Sequence, residues 1–179
     1  MSYYYLIASL PLLSLDQDIP FTPDQFVSAS QHLLSERDRQ DMLHILEGHP
    51  ERCNDTGVQE YVQRDIQLQN AIVRHRARKR SIEAHPFLKD FTGYDVYIEN
   101  SIARIMTMDN PLEREIAIDR LRWEILDSCT SREPFGVSLL FAFLIKLKIA
   151  LRWTLLKEET GVDKLDELIQ TNLQEGLVE

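Results

Sequence analysis

Asp41 and His44 stand three residues apart, and residues at that spacing share a face if the segment is helical. The pair has the spacing of half a di-iron carboxylate site, which needs two Glu-x-x-His pairs and two further glutamates. Only this single altered copy occurs, so a solvated helix face is the ordinary account of it. His44, His49 and Cys53 have no zinc-type spacing, and the third and fourth ligands of a closed site are missing. Gly-x-Ser-x-Gly elbows, phosphate loops and glycine-rich dinucleotide turns are absent. No serine has a context that suggests activation. The residues therefore read as those of a non-enzyme with no metal and no cofactor; a metal-dependent helical enzyme is the weaker alternative.

The clearest electrostatic feature is the run RHRARKR. Arg74, Arg76, Arg78, Lys79 and Arg80 contribute +5 to a chain of formal charge −9, so the remainder carries −14. No acidic residue lies between Ile66 and Ile82. Cations at a helix C-terminus are favoured by the macrodipole and need no further purpose. Segregated charge also steers an acidic protein partner. Nucleic acid is disfavoured by the acidic whole and by the lack of aromatic residues among the arginines. These five cations are the candidate partner-binding residues.

The element that must organise the rest runs from Pro134 to Gly161. At 100° per residue, Val137, Leu140, Phe143, Leu144, Leu147, Leu151 and Leu155 form a broad apolar arc, and Ile145, Ile149, Trp153 and Leu156 a narrower one. Lys146 with Lys157, and Lys148 with Arg152, divide the two arcs. Such a helix needs neighbours on two sides and is expected at the centre of a bundle. Pro134 suits its entry turn and Gly161 a left-handed cap. Residues 137–156 approach membrane-spanning length, but three cations interrupt the run and argue against a span. MSYYYLIASLPLL offers no secretory signal, having neither a basic region nor a cleavage site, and the expected location is cytoplasmic.

Upstream, residues 2–10 predict a short buried helix. Thr22, Pro23 and Gln25 form a capping-box start, and Ser35 with Asp38 looks like a second, its helix closing at Gly48. Residues 49–56 are the best place for a hinge or lobe boundary within a single domain of 1–179. Thr56 with Gln59 is expected to open a long helix reaching Ala84, whose apolar members thin out so that its end projects toward solvent or a partner. Further helices are predicted from Tyr94 to Met108, after the Asn110-Pro111-Glu113 cap, and from Asp163 to near Gly176. Gly numbers only 6 in 179 residues, which disfavours a turn-rich β fold. Cys53 and Cys129 lie far apart without a partner pattern, as suits a reduced compartment. The fold class is all-α, a multi-helix bundle of about six to eight helices with short connections.

Two segments resemble a known family. The opening Tyr3-Tyr4-Tyr5-Leu6-Ile7-Ala8-Ser9-Leu10, together with Glu133-Pro134-Phe135-Gly136 leading into Leu139–Lys146, is similar to the C subunits of V-type ATPases, which are the d subunits of the eukaryotic enzymes. It looks closest to the short bacterial proteins of that type found in V-type ATP synthase operons. The resemblance implies one or two lobes of that helical family, in a stiff, pocketless body. It also implies a non-catalytic rotor component that couples the central shaft to the membrane ring for proton or sodium-ion transport, with only indirect membrane contact. The chain departs from that pattern at Lys148 and Ala150, where the family carries acidic residues. The alternative is a free-standing helical protein–protein adaptor.

Overall fold

The computed structural model describes residues 3–15, 17 and 19–155. Among these the chain is all-helical: α1 (Tyr4–Ala8), α2 (Pro23–Ser30), α3 (Glu36–Glu47), α4 (Thr56–Arg80), α5 (Val96–Ile105), α6 (Pro111–Thr130) and α7 (Val137–Leu155). Single 3₁₀ turns occupy Gln31–Leu33, Pro50–Arg52 and His85–Phe87. The helix expected from Asp163, the cap at Gly161, and Leu156 and Lys157 lie outside the described residues.

Local chemistry sets most helix ends. The Thr22 hydroxyl accepts from the Gln25 N–H at 3.2 Å and the Gln25 side chain accepts from the Thr22 N–H at 2.9 Å, completing the expected box. Asn110 caps α6 by accepting from the Leu112 N–H at 2.9 Å. Gly48 closes α3 at φ 92°, a left-handed conformation that glycine adopts without a Cβ penalty. Three boundaries differ from expectation. The cap of α4 is Asp55 rather than Thr56, because its carboxylate accepts from the Val58 N–H at 2.9 Å and also from the Ser138 hydroxyl at 2.7 Å. Gln59 instead donates to the carbonyls of Glu51 and Cys53. α4 stops at Arg80, where Ser81 turns left-handed at φ 53°, and α5 begins only after Asp95 caps it.

α7 packs against α2, α3, α4 and α6. Leu140, Phe141, Leu144 and Leu147 are fully buried, with Ala142, Phe143 and Ile145 almost so. Phe141 and Ala142 fall on neither predicted arc, so the stretch from Leu140 to Ile145 is enclosed all round. α2 supplies part of that cover, with Phe26 5.0 Å from Phe143, centroid to centroid, and Phe21 at 6.0 Å. The early helix is short as expected but not buried. Tyr5 is 88% exposed, and the buried aromatic is Tyr3, one residue ahead of α1.

α4 is the second axis, packed on α5, α6 and α7. Its apolar residues thin out for a reason the pattern left open. Gln63, Gln67 and Asn70 line one face at helical spacing and hold the connection to α5. Gln67 pairs with both backbone groups of Asp95 at 2.8 and 3.0 Å, Asn70 with both of Lys89 at 2.7 and 3.0 Å, and Gln63 accepts from the Thr92 N–H at 2.8 Å. Gln67 and Asn70 are themselves buried, so these bonds satisfy groups that water does not reach. Gly57 lets the first turn of α4 approach the end of α6: an added Cβ would stand 3.0 Å from the Cys129 carbonyl. Between α3 and α4, the Pro50–Arg52 turn packs on both helices, and the Asp41 carboxylate accepts from the Asn54 N–H and side-chain amide at 3.0 and 2.9 Å. No helix among the described residues is long and apolar enough to cross a membrane.

Candidate functional site

The five predicted cations separate into two groups. Arg74 turns toward α5 and pairs with Glu99 at 2.5 Å, which makes it part of the scaffold. Arg76 lies 3.6 Å from Glu115 on α6 and is 62% exposed. Arg78, Lys79 and Arg80 are exposed and form no ion pair with any described residue. Together with Arg76, and with Met106 and Arg114 from the neighbouring segments, they line an open groove of about 600 Å³. Arg114 is anchored there by donating to the Met108 carbonyl at 2.5 Å. The groove thus keeps the five cations of the run in number but not in identity, since Arg114 of α6 takes the place of Arg74. Five positive side chains line it, and Arg76 alone reaches outward to a carboxylate, Glu115. The donors on such a surface can pair with carboxylates.

The Asp41/His44 spacing gathers no metal site. Asp41 is 2% exposed and its Oδ1 is occupied by Asn54, which makes it a tie between α3 and the turn before α4. His49 pairs with Glu51 at 3.1 Å. Among the described residues no three His, Cys, Asp or Glu side chains converge on a common point. Cys53 and Cys129 are free and buried. Burial pushes the Cys53 thiol up to about 12 and the Cys129 thiol up to about 11, so neither is a ready thiolate.

The expectation of a pocketless body is corrected by the structure. A cavity of about 330 Å³ opens between α3, α4, α6 and α7, and six ionisable side chains face it: Tyr61, Asp65, Asp119, Arg122, Lys148 and Arg152. Asp119 is 1% exposed and accepts from Arg122 at 2.8 Å, from the Trp153 indole at 2.7 Å and from Arg152. Asp65 accepts from Arg122 at 2.8 Å and from Gln69 at 2.6 Å. Burial alone would lower the Arg122 guanidinium's affinity for its proton, but the two carboxylates outweigh it and hold the charge firmly. Lys148 donates to the last carbonyls of α3, Ile45 at 2.8 Å and Leu46 at 2.7 Å, and desolvation lowers its pKa. A sequence signal existed in retrospect. Tyr61/Asp65, Asp119/Arg122 and Lys148/Arg152 are each three or four apart, so each pair shares one face of its helix.

With this geometry in view, a family model described as a protein of unknown function, DUF2764, matches residues 89–176. The matched stretch begins ahead of α5, takes in α6 and α7, and leaves the basic run of α4 outside. Neither the curated proteins nor the solved structures yield a match.

No V-type ATPase family model matches, and this overturns the resemblance to the C subunits of those enzymes. The physical reason lies in the residues that carried it. The aliphatic-aromatic run Leu139–Ile145 is apolar because six successive residues from Leu140 to Ile145 are buried, a demand that any central bundle helix makes. The Glu133–Gly136 stretch is a tight turn, with the Gly136 N–H on the Glu133 carbonyl at 3.0 Å. Both are packing solutions rather than marks of one family.

Proposed function

We propose that the chain is a non-catalytic helical interaction protein that docks an acidic protein segment in the basic groove at the end of α4. The observation that carries this reading is the group Arg78, Lys79 and Arg80, exposed and without ion pairs among the described residues, on a chain whose remaining charge is strongly negative. Interspersed surface charge needs no explanation, but a segregated cationic groove steers encounter and fixes orientation. Rigid support comes from α4 itself, held by α5, α6 and α7 and latched to its own connection through Gln67 and Asn70.

The test is fluorescence anisotropy with a labelled glutamate-rich peptide and, in parallel, an oligonucleotide of equal charge. The triple variant Arg78→Glu, Lys79→Glu, Arg80→Glu is expected to abolish peptide binding while leaving the circular dichroism spectrum unchanged. Equal binding by the variant overturns the reading, and tighter binding of the oligonucleotide transfers it to nucleic acid. Copurification through the same cations then identifies the partner. Recovery of rotary-ATPase shaft or ring proteins would assign the coupling role, and any other acidic partner the free-standing adaptor.

A further inference from the structure

We propose that the cavity between α3, α4, α6 and α7 is a binding site for a small oxyanion, carboxylate or phosphate, held by Lys148, Arg152 and the Tyr61 hydroxyl. This is independent of the groove at the end of α4.

The charges lining the cavity do not cancel. Asp65 and Asp119 supply two negative charges, and Arg122, Arg152 and Lys148 three positive ones. Both carboxylates already use both oxygens: Asp119 on Arg122, Arg152 and Trp153, and Asp65 on Arg122 and Gln69. They therefore have little left for a cationic ligand. Lys148 forms no ion pair with any described residue: its two bonds go to neutral carbonyls, and the Asp24 carboxylate acts on it only through space. A half-buried cation with no carboxylate in direct contact is costly, and a bound anion relieves that cost.

The geometry supplies the rest of a recognition site. Lys148 has three N–H donors, of which two are used, so one remains for a ligand. Tyr61 is buried apart from its surface on the cavity, and its hydroxyl has no hydrogen bond to any described residue. Arg152 gives one nitrogen to Asp119 and remains 49% exposed, with further donors available. Ile45, Ile145 and Ile149 complete the wall and limit the solvent that competes for these donors on that side. A volume of about 330 Å³ admits a compact metabolite rather than a polymer.

The experiment is isothermal titration of the full chain with inorganic phosphate, with acetate and with citrate, against sodium chloride at equal ionic strength. Saturable binding of phosphate or of a carboxylate, with chloride silent, is the expected result, and the arm that binds names the ligand class. Lys148→Gln keeps a donor for the α3 carbonyls but removes the charge, and is expected to weaken binding about tenfold or more. Tyr61→Phe removes a hydroxyl that the protein does not use. It should leave the melting temperature unchanged and weaken binding about threefold to tenfold. Arg78→Gln in the α4 groove should change nothing. The proposal is overturned if no probe binds more than chloride, or if a folded Tyr61→Phe variant binds as the parent does.

Discussion

The Tyr3 hydroxyl donates to the Asp38 carboxylate at 2.6 Å and lies 3.4 Å from the Ser35 N–H, which it accepts. It thereby stands inside the capping box at the start of α3. Ser35 accepts from the Asp38 N–H at 3.2 Å as a cap should, but the return bond, which the box normally makes directly, passes through a phenol from 32 residues upstream. Burial and the neighbouring carboxylate together raise the Tyr3 pKa and keep it a donor.

Removing that phenol oxygen should therefore act at a distance. Tyr3→Phe is expected to lower stability by about 1 kcal/mol, the net value of one such bond, and to speed hydrogen exchange at the Ser35 amide. In a double-mutant cycle with Asp38→Asn the two losses should be less than additive. Urea melts of the four proteins check this; full additivity would place Tyr3 outside the cap.

Asp119 is the point on which α6 and α7 converge, taking Arg122, Arg152 and Trp153 together at 1% exposure. Asp119→Ala leaves the Arg122 guanidinium to Asp65 alone and strips the Trp153 indole of its acceptor, and should cost about 2–3 kcal/mol. Arg152→Ala removes a half-exposed partner and should cost about 1 kcal/mol or less. Equal losses in chemical denaturation would refute this ordering.

Asn70 offers a measurement confined to one connection. Asn70→Ala leaves the Lys89 N–H and C=O without their partner, at an expected cost of about 1–3 kcal/mol. Native-state hydrogen exchange should show the Lys89 amide losing protection while the α3 amides keep theirs.

The two thiols give a pH dependence of known sign. Burial raises both folded pKa values above the ordinary 9.0, to about 12 for Cys53 and about 11 for Cys129. The unfolded chain then releases these protons first as pH rises. Their contribution to stability is complete below pH 9 and is lost progressively as pH climbs through 11 and 12. At pH 8 an aromatic disulfide reagent should label neither thiol in the native protein and both after unfolding; rapid labelling of the folded chain would contradict their burial.

How much of this could be read beforehand depends on how far apart the interacting residues are. The box at Thr22 and Gln25, the Asn110 cap and the Gly48 stop are complete within four residues, so the sequence carries them whole. Asp55 displaced Thr56 as the cap of α4 because Ser138, 83 residues away, fixes its carboxylate. The cationic run was legible as a run. That Arg74 leaves it and Arg114 joins it depends on how α5 and α6 lie against α4. The ionisable cavity was hidden for the same reason: each helix contributes one polar pair, ordinary until three helices bring them together. Resemblance misled where it rested on residues chosen by burial, such as Leu140 and Phe141.

The Lys148 ammonium seals the last carbonyls of α3 from 103 residues downstream of Ile45, and the Tyr3 N–H is taken up by the Phe135 carbonyl. During synthesis on the ribosome, α1 to α3 can therefore close the Gly48 cap and the Tyr3–Asp38 bond among themselves, but the Lys148 and Phe135 partners arrive only with the last helix. The two ends of the chain are thus stitched together by bonds that only the last-made helix can supply.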